Sequence, residues 1–178
     1  RLFSFNSPYG ACATCSGLGT LMGVDPDKVV LDPERSIEAG ALALFQPGSK
    51  SWRLQMLRTL AGAMKFSLGT PWRRLPARAR EAILGGHGDQ ELTFELKGRK
   101  SSYSWEGTWE GIVPMLERRH KETDSALVRG EIEKYMSIQV CPDCHGRRLK
   151  PEALAVSVAG RPIDALSALA VADLRRIV

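Results

Sequence analysis

Apolar residues recur at helical spacing along the stretch that begins at Trp52. The positions on this face are Leu54, Leu57, Leu60, Ala61 and Met64. Ser51 stands where a helix N-cap is expected, so the pattern predicts a helix starting at Trp52. A second, shorter helix is predicted to open at Pro76 and to end at Gly85-Gly86, because proline favours the first helical turn and glycine the end.

Between residues 91 and 106 the apolar residues recur at every second position instead of at helical spacing. Leu92, Phe94 and Leu96 alternate with polar residues, and Tyr103 and Trp105 alternate in the same way beyond Gly98. This pattern predicts a β-hairpin whose turn carries the basic residues Lys97, Arg99 and Lys100. Because aromatic residues that alternate in a hairpin normally pack, Trp105 and the nearby Trp109 are interpreted as core residues.

Helical patterns return after the hairpin. One helix is predicted from Pro114 to Lys121, and a second from Ser125 through Ile132 to Met136. The first twenty residues are predicted to be an extended lead-in. Together these elements predict the α+β class, with a mixed helix and hairpin domain at its centre.

Composition places the chain among globular proteins. Of 178 residues, 43% are hydrophobic and 25% are charged. No stretch approaches the roughly 18 consecutive apolar residues of a membrane span, and no secretion signal opens the chain. A cytoplasmic location without a membrane partner is therefore expected. The start at Arg1 without a methionine is expected of a segment of a longer protein.

Charge is distributed unevenly along the sequence. Residues 50–150 hold nineteen Lys/Arg against twelve Asp/Glu, a net charge of +7, whereas residues 1–49 have a net charge of −2. A basic block favours a polyanionic partner such as nucleic acid, although a solvated surface explains it equally well.

The cysteines form two pairs with identical spacing. The first knuckle is Cys12-Ala13-Thr14-Cys15, and the second knuckle is Cys141-Pro142-Asp143-Cys144. A two-residue gap lets both sulfurs of a pair turn toward one point, and two such knuckles supply the tetrahedral thiolates that Zn²⁺ prefers. The spacing predicts one structural zinc ion held by all four cysteines, with no open position for catalysis.

Four other readings of the cysteines stay open at this point. Two disulfides would need an oxidising compartment, and a redox C-x-x-C would use only one pair. The sequence Cys141 to His145 also matches the haem-attachment pattern C-x-x-C-H. Finally, each pair could belong to a separate zinc site completed by a partner.

The long interval between the knuckles predicts the domain organisation. Because 125 residues separate Cys15 from Cys141, a folded domain must occupy the interval and return the chain to its starting point. We expect residues 1–20 to form the first half of a zinc module, residues 21–140 an inserted domain, and residues 141–178 the second half. This small four-cysteine module, interrupted by the inserted domain, is the predicted architecture.

Sequence motifs for catalysis are absent. There is no phosphate-binding loop, no dinucleotide fingerprint, no nucleophile elbow and no H-E-x-x-H. The three histidines, His87, His120 and His145, lie far apart. We therefore expect no catalytic residue in this chain. An independent zinc enzyme would need an open metal position, which four thiolates on one ion would not leave.

Several segments resemble the UvrA family in order along the chain. They are residues 1–19 (RLFSFNSPYGACATCSGLG), 70–76 (TPWRRLP), 109–114 (WEGIVP), 116–119 (LERR), 121–125 (KETDS) and 141–156 (CPDCHGRRLKPEALAV). The resemblance covers essentially the whole sequence. Three residues depart from the family pattern, namely Ala13, Met115 and His120. None is a predicted metal ligand, but His120 weakens the idea of a base-stacking aromatic there.

The resemblance implies a role in DNA repair. UvrA is the damage-sensing ATPase of bacterial nucleotide excision repair, part of an excision nuclease linked to the SOS response. In that family a mobile, basic insertion domain emerges between two halves of a zinc module and grips damaged duplex DNA. The full protein forms a homodimer, hydrolyses ATP with Mg²⁺ at two ABC-type sites and loads UvrB. Those ATP sites and the UvrB-binding region are expected outside this sequence.

Damage recognition cannot depend on sequence, so phosphate contacts are expected to dominate DNA binding. The candidate DNA-binding residues are Lys97, Arg99, Lys100, Arg118, Arg119 and Lys121, with Arg73 and Arg74 as weaker candidates. The competing hypothesis is a structural or protein-interaction insert of an ABC-type ATPase without a direct DNA role.

Overall fold

The computed structural model describes residues 1–45, 47, 51–97, 102–158 and 160–177. The chain divides into two compact units. The inserted unit comprises residues 24–137, and the cysteine unit comprises residues 1–23 together with residues 138–178. Each unit is described by itself below.

Short strands and helices alternate along the chain, which confirms the α+β class. The strands are β1 (Thr20–Val24), β2 (Glu91–Lys97), β3 (Ser102–Thr108), β4 (Met136–Val140), β5 (Ser157–Val158) and β6 (Arg161–Pro162). The helices are α1 (Pro26–Val29), α2 (Trp52–Met64), α3 (Ala77–Gly85), α4 (Ile112–Glu122), α5 (Ala126–Glu133), α6 (Pro151–Leu154), α7 (Ile163–Ser167) and α8 (Val171–Leu174). A 3-10 turn spans Trp72–Arg74. The sheets described are two-stranded, pairing β1 with β4, β2 with β3, and β5 with β6.

Helix α2 is the central helix of the inserted unit, and its predicted start is confirmed. The Ser51 hydroxyl accepts a hydrogen bond from the Leu54 backbone N–H at 3.3 Å, which satisfies a donor left free at the helix start. Leu54, Leu57 and Leu60 are buried in the core, as their spacing predicts.

The predicted hairpin is confirmed as β2 and β3, paired antiparallel from Glu91 opposite Thr108 to Lys97 opposite Ser102. Strand β2 packs on α2, so Phe94 is buried at 1% exposure. Trp105 lies on Phe94 with ring centroids 5.4 Å apart and is partly buried against the core. The prediction of a core residue is confirmed for Trp109, which is 4% exposed, whereas Trp105 is only partly buried and Tyr103 is 66% exposed.

Two predicted helix boundaries near residues 112–136 are wrong. Helix α4 begins at Ile112 rather than Pro114, and Pro114 occupies the first turn, where its missing N–H costs no hydrogen bond. Helix α5 ends at Glu133 rather than Met136. Met136 instead begins β4, because pairing with β1 requires an extended backbone there.

The amino-terminal residues are also different from the predicted extended lead-in. They form successive turns, in which Ser4 N–H donates to the Arg1 carbonyl, Ser7 N–H to Ser4, and Gly10 N–H to Ser7, at 3.0–3.2 Å. These three successive turns make the segment before the first knuckle compact and not extended.

Candidate metal centre and basic surface

The two knuckles have the same backbone conformation. In each, the residue after the second cysteine is left-handed, with φ of 50° at both Ser16 and His145. The following glycines, Gly17 and Gly146, have φ of 81° and 82°. Glycine suits this position because an added Cβ at Gly17 would lie 1.8 Å from the Phe5 carbonyl oxygen.

The four cysteine sulfurs converge in the cysteine unit. All four ligand atoms lie within 4.8 Å of one another, and all four residues are buried. The Sγ atoms of Cys12 and Cys141 are 3.9 Å apart, and those of Cys15 and Cys144 are 3.6 Å apart. A tetrahedron with Zn–S bonds of about 2.3 Å has edges of about 3.8 Å. The four cysteines are thus positioned to bind a metal ion.

Contacts outside the sulfurs hold the knuckles together. The Cys12 backbone N–H donates to the Arg148 carbonyl at 2.9 Å, and the Thr14 hydroxyl donates to the Asp143 carboxylate. Because these contacts bridge residues more than 125 positions apart, they hold the two knuckles together without depending on a metal.

Ionisation of the cluster is uneven. Burial opposes ionisation of Cys15, but hydrogen bonds from the Gly19 N–H and from neighbouring thiols outweigh it and lower the pKa of Cys15 to about 7. Burial instead raises the pKa of Cys144 to about 11, despite a hydrogen bond from the Arg148 N–H. Four thiolates this close would repel one another strongly, so full ionisation requires a bound cation.

The geometry favours a single four-cysteine site over the other readings left open by the sequence. All four cysteines are free, so neither disulfide is formed. The four sulfurs converge on one point, and a single site explains both cysteine pairs together. A redox pair, a haem attachment or two separate zinc sites would not require this convergence. Four sulfurs around one ion leave no open coordination position, so such a site serves structure rather than catalysis.

Sequence reasoning missed one residue that supports the cluster. The Arg148 guanidinium lies 3.6 Å from the centroid of the Phe5 ring, and its Nε donates to the Gly17 carbonyl at 2.7 Å. Arg148 also has an unusual φ of 69°. It therefore ties the amino-terminal turns to the second knuckle. Its position four residues after Cys144 is the only sequence signal, and it is weak.

The structure places the candidate DNA-binding residues on separate elements of the inserted unit. Arg118, Arg119 and Lys121 are exposed on α4, and Arg73 and Arg74 are exposed on the 3-10 turn. Lys97 ends β2, but its side chain lies outside the described residues, as do Arg99 and Lys100 altogether.

Two of these candidates are already neutralised by carboxylates. Arg118 donates to Glu110 at 3.0 Å and 3.2 Å and to Glu122 at 3.0 Å, and these hydrogen bonds raise its pKa. Arg73 pairs with Glu34 at 2.8 Å. In the part of the chain that the structure describes, Arg74, Arg119 and Lys121 form no ion pair, which leaves them the stronger candidates.

Two other residues considered from the sequence have structural partners. His120 Nε2 lies 3.2 Å from Glu133 Oε1, which links α4 to α5. Trp109 is 4% exposed, and its indole N–H donates to the carbonyls of Ala82 and Ile83 at 3.0 Å and 3.3 Å. Neither side chain is free to probe a base.

The net charge is small in both compact units when the charged residues are counted for each unit separately. The inserted unit, residues 24–137, holds eighteen Lys/Arg against sixteen Asp/Glu, a net charge of only +2. The cysteine unit holds seven against four, a net charge of +3. The basic window at 50–150 combined parts of both units and left out the acidic residues before position 50. Any basic site in the inserted unit is therefore local.

Comparison with known proteins defines the class of the chain. Residues 25–134 match the family model of the UvrA DNA-binding domain. The chain is 47% identical over 163 residues to UvrABC system protein A of Mesorhizobium japonicum, covering 92% of this chain and 17% of that protein. It is 46% identical over 171 residues to UvrABC system protein A of Rhizobium meliloti, covering 96% and 18%.

A solved structure agrees with these relatives. UvrA2 from Deinococcus radiodurans superposes with a TM-score of 0.62 at 30% sequence identity, covering 98% of this chain and 22% of that one. The chain belongs to the UvrA family. It spans about a sixth of the length of the curated relatives it matches.

None of the helices in the described residues combines the length and the apolar character that crossing a bilayer requires.

Proposed function

We propose that this chain is the zinc-clasped insertion module through which a UvrA protein of nucleotide excision repair contacts DNA without reading its sequence. The observation that carries the proposal is the match of residues 25–134 to the UvrA DNA-binding domain. In this proposal residues 21–140 form the insertion domain, and residues 1–20 and 141–178 form the halves of the zinc module, the second leading back into the ATPase signature domain.

The donor set supports zinc as the bound metal. Cys12, Cys15, Cys141 and Cys144 offer four buried sulfurs with separations close to a tetrahedral edge. Soft thiolates select zinc over magnesium or calcium, which prefer oxygen ligands. A zinc ion here would hold the ends of the cysteine unit together and take no part in a reaction.

Phosphate contacts are the proposed mode of DNA binding. Arg74, Arg119 and Lys121 are exposed and not ion-paired within the described ranges. Lys97, Arg99 and Lys100 stay candidates from the sequence alone, because their side chains lie outside the described residues. Lys and Arg neutralise phosphates and release counterions whatever the base sequence. Arg73 and Arg118 contribute less to this proposal because carboxylates already compensate them.

Properties of the whole protein extend the proposal beyond this chain. We propose that the parent is a cytoplasmic ATPase that binds ATP and Mg²⁺, dimerises and delivers UvrB as part of the SOS-linked excision nuclease. All of these activities would reside outside the residues described.

A structural or protein-interaction insert is the second candidate function. The inserted unit's net charge of only +2 and the ion pairs of Arg73 and Arg118 favour it. In that case the unit would space the ATPase halves or meet an acidic partner.

A salt-dependent DNA titration separates the two candidates. The zinc-loaded chain is titrated with fluorescent duplexes of two unrelated sequences at several salt concentrations. We expect equal affinity for both duplexes, falling steeply with salt, and a shallower slope for the Arg119→Glu, Lys121→Glu double variant. Arg78→Glu, which changes an exposed arginine on α3, is the matched control. Absence of binding at low salt would favour the structural role.

A further inference from the structure

A groove of about 270 Å³ lies between the start of α2 and the face of α4 in the inserted unit. Its apolar walls include the buried Phe45 and Trp109, together with Met56 and Met115. Its volume lies near the lower end of the roughly 300–1,000 Å³ of ligand pockets, so it has room for one small group such as a single nucleotide.

Two uncompensated guanidinium groups line this groove. Arg53 and Arg119 both face it, and neither forms an ion pair within the ranges that the structure describes. The Arg53 Nε is buried without a hydrogen-bond partner. Burial and then the positive charge of Arg119 lower the pKa of Arg53. An anion between the two arginines would relieve their mutual repulsion.

The one carboxylate in the groove does not supply this anion. Glu110 lines the groove, but its two oxygens accept hydrogen bonds from Arg118 at 3.2 Å and 3.0 Å. Because Arg118 already pairs with Glu110, this carboxylate does not neutralise Arg53 or Arg119. Both arginines can therefore bind an anion.

An aromatic ring lies beside the two arginines. Trp52 lines the same groove and is 47% exposed, although tryptophan is highly buried on average. The Arg53 guanidinium lies 4.9 Å from the centroid of its ring, within cation–π distance. Cations beside an exposed aromatic ring are the groups that contact the phosphate and the base of a nucleotide.

We propose that this groove holds one unpaired nucleotide of the DNA, with its phosphate between Arg53 and Arg119 and its base stacked on Trp52. The proposal rests on the DNA role proposed above and specifies the form of DNA. A base inside a duplex has both faces covered by its neighbours, so only an unstacked base could lie on Trp52. The groove would thus respond to distorted DNA without reading its sequence.

The test compares paired and unpaired DNA on the zinc-loaded chain. The probes are a labelled duplex, the same duplex with a three-thymidine bulge, and a dT12 strand. We expect tighter binding of the bulged duplex than of the paired one. We also expect a photo-crosslink from 5-iodouracil in the bulge to Trp52, located by mass spectrometry, which requires no variant to fold.

Variants extend the test. Trp52→Leu and Arg53→Gln should each weaken bulge binding about tenfold and leave paired-duplex binding within about twofold, because stacking and groove contacts are lost while other phosphate contacts remain. Arg78→Gln removes an exposed charge outside the groove and should affect both DNAs equally. Thermal unfolding verifies that each variant is folded.

Each outcome is assigned in advance. Binding of paired duplex without preference for the bulge, or a crosslink only elsewhere, overturns the groove proposal and leaves the DNA role standing. No binding of any DNA overturns the DNA role itself. Competition for the groove by an acidic, aromatic peptide but not by dT12 would assign it to a protein partner and also overturn the proposal.

Discussion

In the inserted unit, the buried cluster includes Leu57, Ile83, Phe94 and Ile112, each at most 1% exposed. The buried cluster of the cysteine unit consists of four cysteines with Leu21 packed against them. Stability from apolar burial grows with the area removed from water, at about 25 cal/mol per Å². The inserted unit therefore has the larger buried apolar cluster, whereas the cysteine unit buries its four cysteines and a few further residues, Ala11, Leu149, Ala153 and Leu166.

The surface of the cysteine unit shows the same difference. Phe3, Phe5, Tyr9 and Leu18 are each at least 46% exposed there, although aromatic and aliphatic residues of the inserted unit form its core. A small unit that leaves its large apolar residues outside requires a metal or other cross-link for stability. We therefore expect the two units to draw on different sources of stability, and this expectation can be tested in each unit.

Loss of a sulfur ligand should have the largest effect. For Cys141→Ser we expect loss of the metal, because structural zinc contributes about 10–16 kcal/mol to folding of such sites. Hydrogen exchange read by mass spectrometry should show lost protection in residues 1–23 and 138–178 and retained protection in 24–137. Ala13→Ser, which alters the first knuckle but keeps all four sulfurs, is the control. Equal loss of protection in both units would refute their independence.

A change in the inserted unit should produce the opposite pattern. Gly111 has φ of 93°, and an added Cβ would lie 2.4 Å from the Gly86 backbone nitrogen, where the end of α3 meets the start of α4. We expect Gly111→Ala to cost about 3 kcal/mol or more in the free energy of unfolding, measured by urea denaturation. The zinc affinity of the knuckles should stay unchanged. A parallel loss of zinc affinity would show that the units are coupled.

The pH dependence of metal binding should sharpen the account of the cysteine unit. A metal must displace the proton of Cys144 at any pH below about 11, but that of Cys15 only below about 7. The affinity for the metal should therefore fall as the pH falls. Below about pH 7 the proton of Cys15 must be displaced as well, which adds about a tenfold loss of affinity for each pH unit. Chelator-competition titrations at several pH values on each side of pH 7 give the two slopes. Equal slopes on the two sides would contradict the lowered pKa of Cys15.

A stabilising substitution is the smallest expected effect. Gly62 is exposed inside α2, and an added Cβ would have no atom within 4 Å. Gly62→Ala should raise the free energy of unfolding of the inserted unit by about 0.8–1.0 kcal/mol, the difference in helix propensity. Thermal denaturation checks the shift. No gain, or a gain seen in the cysteine unit instead, would contradict the division.

Local patterns in the sequence predicted much of this fold. The Ser51 cap and the leucine spacing predicted α2, and the alternation at Leu92 and Phe94 predicted the hairpin. Each of these signals depends on neighbours within one element. The end of α5 was missed because Met136 pairs with β1, more than 110 residues earlier, and such pairing outweighs a continuing helical pattern.

The metal centre was more predictable than the basic surface. Two identical knuckles imply convergence because a tetrahedral ion needs four ligands. Compensation of the Arg118 charge depends on where Glu110 and Glu122 lie, and the groove depends on residues of α2 and α4 that line one cavity. Charge counts along the sequence contain neither piece of information.

Pairing of β1 with β4 has a consequence for how the chain could be rebuilt. The two strands carry the polypeptide into and out of residues 24–137 side by side, with Cys141 N–H bonded to the Gly19 carbonyl at 2.9 Å and Asp25 N–H to the Tyr135 carbonyl at 2.8 Å. Adjacent entry and exit points make a segment exchangeable. Joining the strands with a tight turn would yield a miniature metal-binding protein, and a foreign domain with neighbouring termini could be grafted onto the same stem.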